Sequence, residues 1–137
     1  LIYTHTQHIY IPKLDDNLIS IYGKNFTLEY TDPQFFIDGK KITPNLKSDM
    51  YSLGVILWEL TSGIRPFFTI NNKASLNLSI SQGKREKPIP GTPSRYVKIY
   101  KKCWNTNPKK CPELDEILHT IQKLREATEF IFNEIFP

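Results

Sequence analysis

The longest apolar run in the chain is SDMYSLGVILWELTSG, residues 48–63. Four of its positions follow the i, i+3, i+4, i+7 spacing of one helix face: Leu53, Ile56, Leu57 and Leu60. Met50, Val55 and Trp58 make the other faces apolar as well. A helix that is apolar all round is either buried or spans a membrane, and a span takes about 20 apolar residues. This run is shorter and has polar groups at both ends, which predicts the buried central helix of a globular domain.

The ends of the run carry capping residues. Ser48 or Asp49 is expected to cap the first turn, where an oxygen accepts free N–H groups and an acid meets the positive end of the helix dipole. Gly63 suits the left-handed residue that often follows a helix.

The residues before this helix predict short extended elements. Residues 9–11 and 18–22 are β-branched or aromatic, and the turn residues 12–17 separate them, which predicts a short N-terminal β-hairpin. Residues 37–47 form a polar loop.

The residues after it predict three further helices and loops rich in proline. One helix covers about residues 71–82, a surface loop covers 83–93, and the last helix starts at about Pro112. The helix between them has one aromatic face, made of Tyr96, Tyr100, Cys103 and Trp104. The last helix has a stripe of Leu114, Ile117, Leu118, Ile121 and Leu124, which Phe130, Ile131 and Ile135 extend. Strands followed by helices indicate a mostly α domain with a small β element.

Composition excludes several classes of function. The 137 residues are 39% hydrophobic, and 18 Lys and Arg against 14 Asp and Glu give a net charge of +4. The basic residues are scattered, whereas nucleic-acid binding favours a stripe, so we expect neither nucleic-acid nor membrane partners. Cys103 and Cys111 are expected to be free thiols of a cytoplasmic protein. His5 and His8 lack a third ligand, so no metal is expected.

Two long motifs carry a family resemblance. SDMYSLGVILWELTSGIRPF and GKREKPIPGTPSRYVKIYKKCWNTNPKKCPELDEI resemble the C-terminal lobe of eukaryotic protein kinases, in the tyrosine-kinase-like branch. The resemblance covers residues 30–125 strongly. It implies that residues 1–137 are a partial kinase domain without the N-terminal lobe, in which residues 1–29 are a degenerate catalytic loop and activation segment. The first residue is leucine, which also favours a fragment.

The resemblance assigns structural roles. Asp49 would hold the backbone of the catalytic loop. Independently of the resemblance, Trp58 and Trp104 are expected to be core residues rather than base-stacking platforms, and Glu59 is expected to neutralise a neighbour rather than act as an acid. The stretch YTDPQFF is similar to the end of the activation segment, where Pro33 matches and Gln34 replaces a glutamate. That glutamate pairs with an arginine in the family, and Cys111 stands at the arginine position before Pro112. Because both the glutamate and the arginine are replaced, neither leaves a buried charge without its partner.

The catalytic positions are replaced. When THTQHIYI is laid on the catalytic loop, Tyr3 falls at the catalytic aspartate and His8 at the magnesium-binding asparagine. Ile21 then falls at the aspartate of Asp-Phe-Gly. Neither His-Arg-Asp, Asp-Phe-Gly nor a glycine-rich phosphate loop occurs in the sequence. We therefore expect no catalytic residue, no cofactor and no metal for this chain, although the intact family uses ATP and Mg²⁺.

Three functions remain open. The first is a non-catalytic pseudokinase lobe that acts through a protein partner. The second is a piece of an active protein kinase, and the third is an unrelated helical interaction module. A partner is expected to dock at Tyr30, Thr31, Asp32 and Pro33, beside the helix at residues 71–82. A lobe without its neighbour is also expected to be marginally stable or to associate.

Overall fold

The computed structural model describes residues 28–36 and 45–136, and these residues are mostly helical, as the sequence predicts. The expected hairpin and the positions of Tyr3, His8 and Ile21 lie outside the described residues. Three short 3-10 turns cover Leu28–Tyr30, Pro33–Phe35 and Pro108–Lys110. The helices are α1 (Leu46–Ser62), α2 (Lys73–Ser81), α3 (Ser94–Cys103) and α4 (Leu114–Ile135).

Helix α1 begins two residues earlier than its sequence pattern indicates. Its N-cap is Asn45, whose side-chain oxygen accepts the N–H groups of Lys47 and Ser48. The expectation of a Ser48 or Asp49 cap is therefore wrong, because both residues lie inside the first turn. Gly63 ends the helix with a φ of 68°, as predicted.

Helix α1 is the centre of the core, but its last turn reaches solvent. Buried residues cover every side of its first three turns: Ser48, Met50, Tyr51, Ser52, Leu53, Gly54, Val55, Leu57 and Trp58. Leu60, the fourth member of the predicted stripe, is 71% exposed. The stripe therefore ends at Leu57, because no described element covers the side of the last turn on which Leu60 lies.

Helix α3 packs against α1 more extensively than any other described element does. Gly54 makes this approach possible, since a Cβ at that position would lie 2.7 Å from the Cβ of Cys103 and 3.0 Å from the Tyr100 carbonyl oxygen. The aromatic face of α3 is confirmed: Tyr96 contacts Tyr100 edge-on, and Tyr100 contacts Trp104 in the same way. The Tyr96 hydroxyl also donates to the Leu57 carbonyl at 2.7 Å.

Helix α2 is shorter than predicted and begins after the Asn72 cap. Leu76 and Ile80 are buried on one face, as their spacing predicts. This helix packs against the two 3-10 turns at Leu28–Tyr30 and Pro33–Phe35.

Helix α4 departs most from its sequence pattern. Only Ile117 of the predicted stripe is buried, while Ile121 and Leu124 are half-buried and Leu114 and Leu118 are exposed. Every residue from 125 to 136 is exposed. The second half of α4 therefore projects from the described core. Within residues 28–36 and 45–136, no helix has both the length and the apolar character needed to cross a membrane.

Candidate functional site

The candidate site is the segment of residues 28–36, which the sequence analysis assigned to the end of an activation segment. All four of its expected docking residues are buried, namely Tyr30, Thr31, Asp32 and Pro33. Helix α2 covers one side of the segment, and α1 contacts its first 3-10 turn. The segment is therefore part of the packed core, and docking at its side chains stays a prediction.

Two hydrogen bonds tie the segment to the central helix. The Tyr30 hydroxyl donates to Oε2 of Glu59 at 2.7 Å. The Ser52 hydroxyl, which is buried, donates to the Tyr30 carbonyl at 2.8 Å. Burial and the adjacent Glu59 carboxylate both raise the pKa of the Tyr30 hydroxyl above its ordinary value. Glu59 thus accepts a phenolic hydrogen bond, and its expected role in neutralising a neighbouring charge stays a prediction.

A polar cluster lies where the segment, α1 and the loop after α2 come together. It consists of buried Asp32, buried Tyr51 and half-buried Arg85, and the Arg85 charge lowers the pKa of the other two groups. The Arg85 guanidinium carbon lies 5.1 Å from the centre of the Tyr51 ring, within cation–π distance. Burial raises the pKa of the Asp32 carboxyl, and the Gln34 N–H and the Arg85 charge offset part of this rise. Arg85 therefore lies between the segment and the central helix.

Arg85 also holds the loop against the end of α3. Its Nε donates to the Trp104 carbonyl at 2.9 Å, and its Nη1 donates to the Ile80 carbonyl at 3.0 Å. Its Nη2 and the Tyr51 hydroxyl are buried and have no hydrogen-bond partner in the described part of the chain. The composition of residues 83–93 indicated a surface loop. The structure shows that this loop also bonds to the ends of α2 and α3 through Arg85.

The same loop supports the turn after α1. The Trp58 indole N–H donates to the Lys87 carbonyl at 2.7 Å, while the Phe67 N–H donates to Oε1 of Glu86 at 2.6 Å. Phe67 is buried and has a φ of 53°, a left-handed conformation that side chains rarely adopt. The Glu86 bond and the burial of the ring hold it there. Trp58 and Trp104 are both buried, as expected of core residues.

The double replacement at Gln34 and Cys111 is compatible with a folded lobe. Among the described residues, the Gln34 side chain makes no hydrogen bond to Cys111, which is buried. Lys47 ties this region to α1 instead. Its Nζ donates to the Cys111 carbonyl at 3.2 Å and to Oε1 of Glu113 at 2.6 Å. Pro112, next to Cys111, is buried as well.

Asp49 is half-buried in the first turn of α1. Burial raises the pKa of its carboxyl above the ordinary value. The backbone that it is expected to hold belongs to residues outside the described ranges, so its role as a clamp stays a prediction.

The described residues contain no group of three or more His, Cys, Asp or Glu side chains that could hold a metal ion. Cys103 and Cys111 are free thiols, as predicted. Burial raises the pKa of Cys103 to about 12, so this thiol is not nucleophilic at neutral pH. What these residues provide is a rigid scaffold under the 28–36 segment.

A family model described as protein tyrosine and serine/threonine kinase matches residues 13–121. The match covers most of the chain, including all of α1, α2 and α3 and the segment they hold. The chain belongs to the protein kinase superfamily. The C-lobe interpretation agrees with the mostly helical fold, and the third possibility, an unrelated helical module, is excluded by the match.

Named kinases show the same likeness. A probable LIM domain-containing serine/threonine-protein kinase of Dictyostelium discoideum is 35% identical over 79 residues, which are 58% of this chain and 12% of that protein. Human tyrosine-protein kinase TXK is 31% identical over 117 residues, 83% of this chain and 21% of TXK. Human cytoplasmic tyrosine-protein kinase BMX is 32% identical over 115 residues, 82% of this chain and 16% of BMX. The chain thus spans between about a tenth and a fifth of these kinases.

Sequence reasoning missed several residues that hold this kinase-family scaffold together. Ser52, Gly54 and Tyr51 lie within the apolar run, and the helical spacing of that run assigns none of them a specific contact. Arg85 and Glu86 lie in a loop whose charges indicated solvent. An arginine and a glutamate side by side in a loop that is otherwise rich in proline were the available signal, but nothing local indicates which carbonyl or N–H each one reaches.

Proposed function

We propose that this chain is a non-catalytic, protein-kinase-like C-lobe that acts through contacts with another protein. The observation that carries the proposal is that the chain keeps the packed scaffold of the lobe but lacks the catalytic motifs of the family. The scaffold of the lobe is retained, with the 28–36 segment bonded to α1 through Tyr30, Ser52 and Glu59. The sequence contains neither His-Arg-Asp nor Asp-Phe-Gly, and phosphoryl transfer needs the base and metal ligands of those motifs.

The replacement residues support the same proposal. The alignment places a phenol at Tyr3, an imidazole at His8 and an alkyl side chain at Ile21 where the family has carboxylate and carboxamide oxygens. Magnesium prefers oxygen ligands in octahedral geometry, so this set does not suit the metal. We propose accordingly that the chain uses neither ATP nor Mg²⁺ and binds neither nucleic acid, membrane nor metal. We also propose that it resides in the cytoplasm, in line with BMX, which is named as a cytoplasmic kinase.

The partner protein is proposed to dock beside the 28–36 segment. Since Tyr30 to Pro33 are buried, the accessible part of this surface is the outer face of α2. Leu78 on that face is 59% exposed.

A thermal-shift titration of the chain with ATP and Mg²⁺, beside a Mg²⁺-only control, tests the proposal. A ligand that binds only the folded state raises the melting temperature. We expect a cooperative transition that ATP and Mg²⁺ do not move, while a kinase with intact motifs shifts under the same conditions. A Mg²⁺-dependent increase in melting temperature would reveal a nucleotide site and contradict the assignment of Tyr3, His8 and Ile21 as replaced catalytic positions.

The second candidate function is a piece of an active protein kinase. The lengths of the related kinases favour it, because the matched part of this chain corresponds to only 12% to 21% of each of the three kinases described above. Sequencing the gene and its transcripts on the N-terminal side of these residues distinguishes the two. An in-frame glycine-rich loop, His-Arg-Asp and Asp-Phe-Gly would establish the active kinase, and their replacement would support the non-catalytic lobe.

A further inference from the structure

The outer side of α3 carries almost nothing but basic side chains. The exposed residues of this helix are Ser94, Arg95, Lys98, Lys101 and Lys102. They share one side because they follow each other at spacings of three and four residues, while Ile99, Tyr100 and Cys103 on the opposite side are buried. We call the four exposed cations the α3 basic face.

The whole net charge of the chain corresponds to this face. Helix α3 contains four of the 18 Lys and Arg residues and no acidic residue. The other 14 Lys and Arg residues balance the 14 Asp and Glu residues, and the formal net charge is +4. In the sequence the basic residues are scattered, but the helix gathers these four within about 10 Å, because each residue rises only about 1.5 Å along the axis.

Most of the α3 basic face has no acidic partner within residues 28–36 and 45–136. Lys102 is the exception, because its Nζ lies 2.8 Å from Oε1 of Glu116 in the first turn of α4. The other three cations, Arg95, Lys98 and Lys101, form no ion pair in this part of the chain. They therefore remain available to an anion from outside the lobe.

The placement of these charges opposes the stability of α3. Lys98 has a like-charged neighbour three residues before it and two more at three and four residues after it, and such pairs destabilise a helix. Arg95 lies in the first turn, at the positive end of the helix dipole, where neither an acid nor a side-chain cap offsets it. Residues that break the local rules of a helix without a gain to the fold are expected at functional surfaces.

The surroundings of the face disfavour a membrane or a nucleic acid as the partner. A helix at a membrane surface inserts its apolar side, whereas the apolar side of α3 packs against α1. Single-stranded nucleic acids stack their bases on aromatic side chains, but Tyr100 and Trp104 are buried. A longer phosphate backbone that continued past Lys102 would meet the Glu116 carboxylate. The unpaired cations span about 9 Å, which about three residues of an extended peptide cover.

We propose that the α3 basic face binds an acidic segment of another protein, in which neighbouring Asp or Glu side chains pair with Arg95, Lys98 and Lys101. The Arg95 guanidinium is suited to a bidentate pair with one carboxylate. This inference goes beyond the proposed function, because it concerns α3 rather than the surface beside α2. It does not depend on whether the chain binds nucleotide.

Fluorescence anisotropy of a labelled octaglutamate peptide, titrated with the full chain at low ionic strength, tests the proposal. We expect saturable binding that weakens as salt is added, since salt screens exposed charges. The double variant Arg95→Glu/Lys98→Glu should bind about tenfold more weakly or worse, because two attractive contacts become repulsive. The matched control is Lys84→Glu/Lys87→Glu, which makes the same change in net charge at exposed residues of the 83–93 loop and should weaken binding by about twofold at most.

Two further measurements complete the test. The melting temperature of Arg95→Glu/Lys98→Glu should equal or exceed that of the wild-type chain, since a glutamate in the first turn suits the helix dipole, so a loss of binding does not come from unfolding. A single-stranded thymidine oligonucleotide and phosphatidylserine vesicles should displace the peptide less effectively than unlabelled octaglutamate at equal charge concentration. The proposal is overturned if the wild-type chain does not bind the peptide, if the two double variants lose binding equally, or if the oligonucleotide or the vesicles bind more tightly.

Discussion

The Tyr30 hydroxyl donates a 2.7 Å hydrogen bond to Glu59 across 29 residues of chain. One partner lies in the 28–36 segment, which resembles the end of a kinase activation segment, and the other lies in the last turns of the central helix. This bond and the Ser52 bond to the Tyr30 carbonyl fix the segment on the same helix that centres the core. The segment is therefore expected to unfold together with the lobe rather than as an independent loop.

Removing the phenolic hydroxyl tests this relationship. Tyr30→Phe should lower the free energy of unfolding by about 0.5–1.5 kcal/mol, the usual net value of one hydrogen bond. Glu59→Gln should cost less, because the amide oxygen still accepts. A double-mutant cycle of Tyr30→Phe with Glu59→Ala, which removes the acceptor, measures the coupling by urea denaturation. Additive effects of the two substitutions would show that the bond contributes nothing to stability.

Arg85 is predicted to stabilise the lobe through backbone carbonyls. Arg85→Met keeps most of the side-chain volume but leaves the Trp104 carbonyl without its arginine donor, which should cost about 1–3 kcal/mol. The Ile80 carbonyl loses its Arg85 bond as well but still accepts the Gly83 N–H. Lys84→Met is the matched control, since the neighbouring Lys84 is exposed and should change the melting temperature little. Equal losses in the two variants would contradict a specific role for Arg85.

Gly54 is predicted to tolerate no side chain. Gly54→Ala places a Cβ 2.7 Å from Cys103 and should force α1 and α3 apart, at a cost of about 1–3 kcal/mol. This loss opposes the intrinsic gain of up to about 1 kcal/mol that alanine brings to a helix. Lys98→Ala on the exposed face of α3 is the control and should be nearly neutral. A stabilised Gly54→Ala protein in thermal denaturation would mean that the two helices are further apart than described.

The N-cap of α1 is Asn45 in the structure, whereas the sequence pattern predicted Ser48 or Asp49. Asn45→Ala should cost about 1 kcal/mol, because its side-chain oxygen accepts two N–H groups of the first turn. Asn71→Ala is the control, since Asn72 rather than Asn71 caps α2. A larger loss for Ser48→Ala than for Asn45→Ala in chemical denaturation would restore the cap expected from the sequence.

Stability should fall at alkaline pH. Burial raises the pKa of Tyr51 to about 12, and it does the same for Tyr96, while an unfolded tyrosine titrates near 10. A raised folded-state pKa means that the neutral phenol is favoured by folding, so this stability is complete below about pH 10 and is lost as the pH rises toward 12. Melting temperatures between pH 8 and 11.5 measure the loss. Tyr96→Phe should flatten the decrease, and an unchanged slope would contradict burial as its cause.

The sequence alone determined the family, the mostly helical fold and the core of α1, α2 and α3. These follow from local spacing, because a residue such as Ile80 or Tyr100 lies on a face that its neighbours define. The helix end at Gly63 could also be predicted from the sequence, because glycine adopts a positive φ without a Cβ clash.

Only the tertiary structure decided which apolar positions are covered and what the polar ones reach. Leu60 and Leu118 fit their stripes but are exposed, because a stripe indicates a face and not the presence of an element opposite it. Arg85 and Glu59 bond to groups 19 and 29 residues away in the sequence. A pattern of neighbouring residues cannot predict partners at such separations. Burial of a face depends on what packs against it, which is a property of the whole chain.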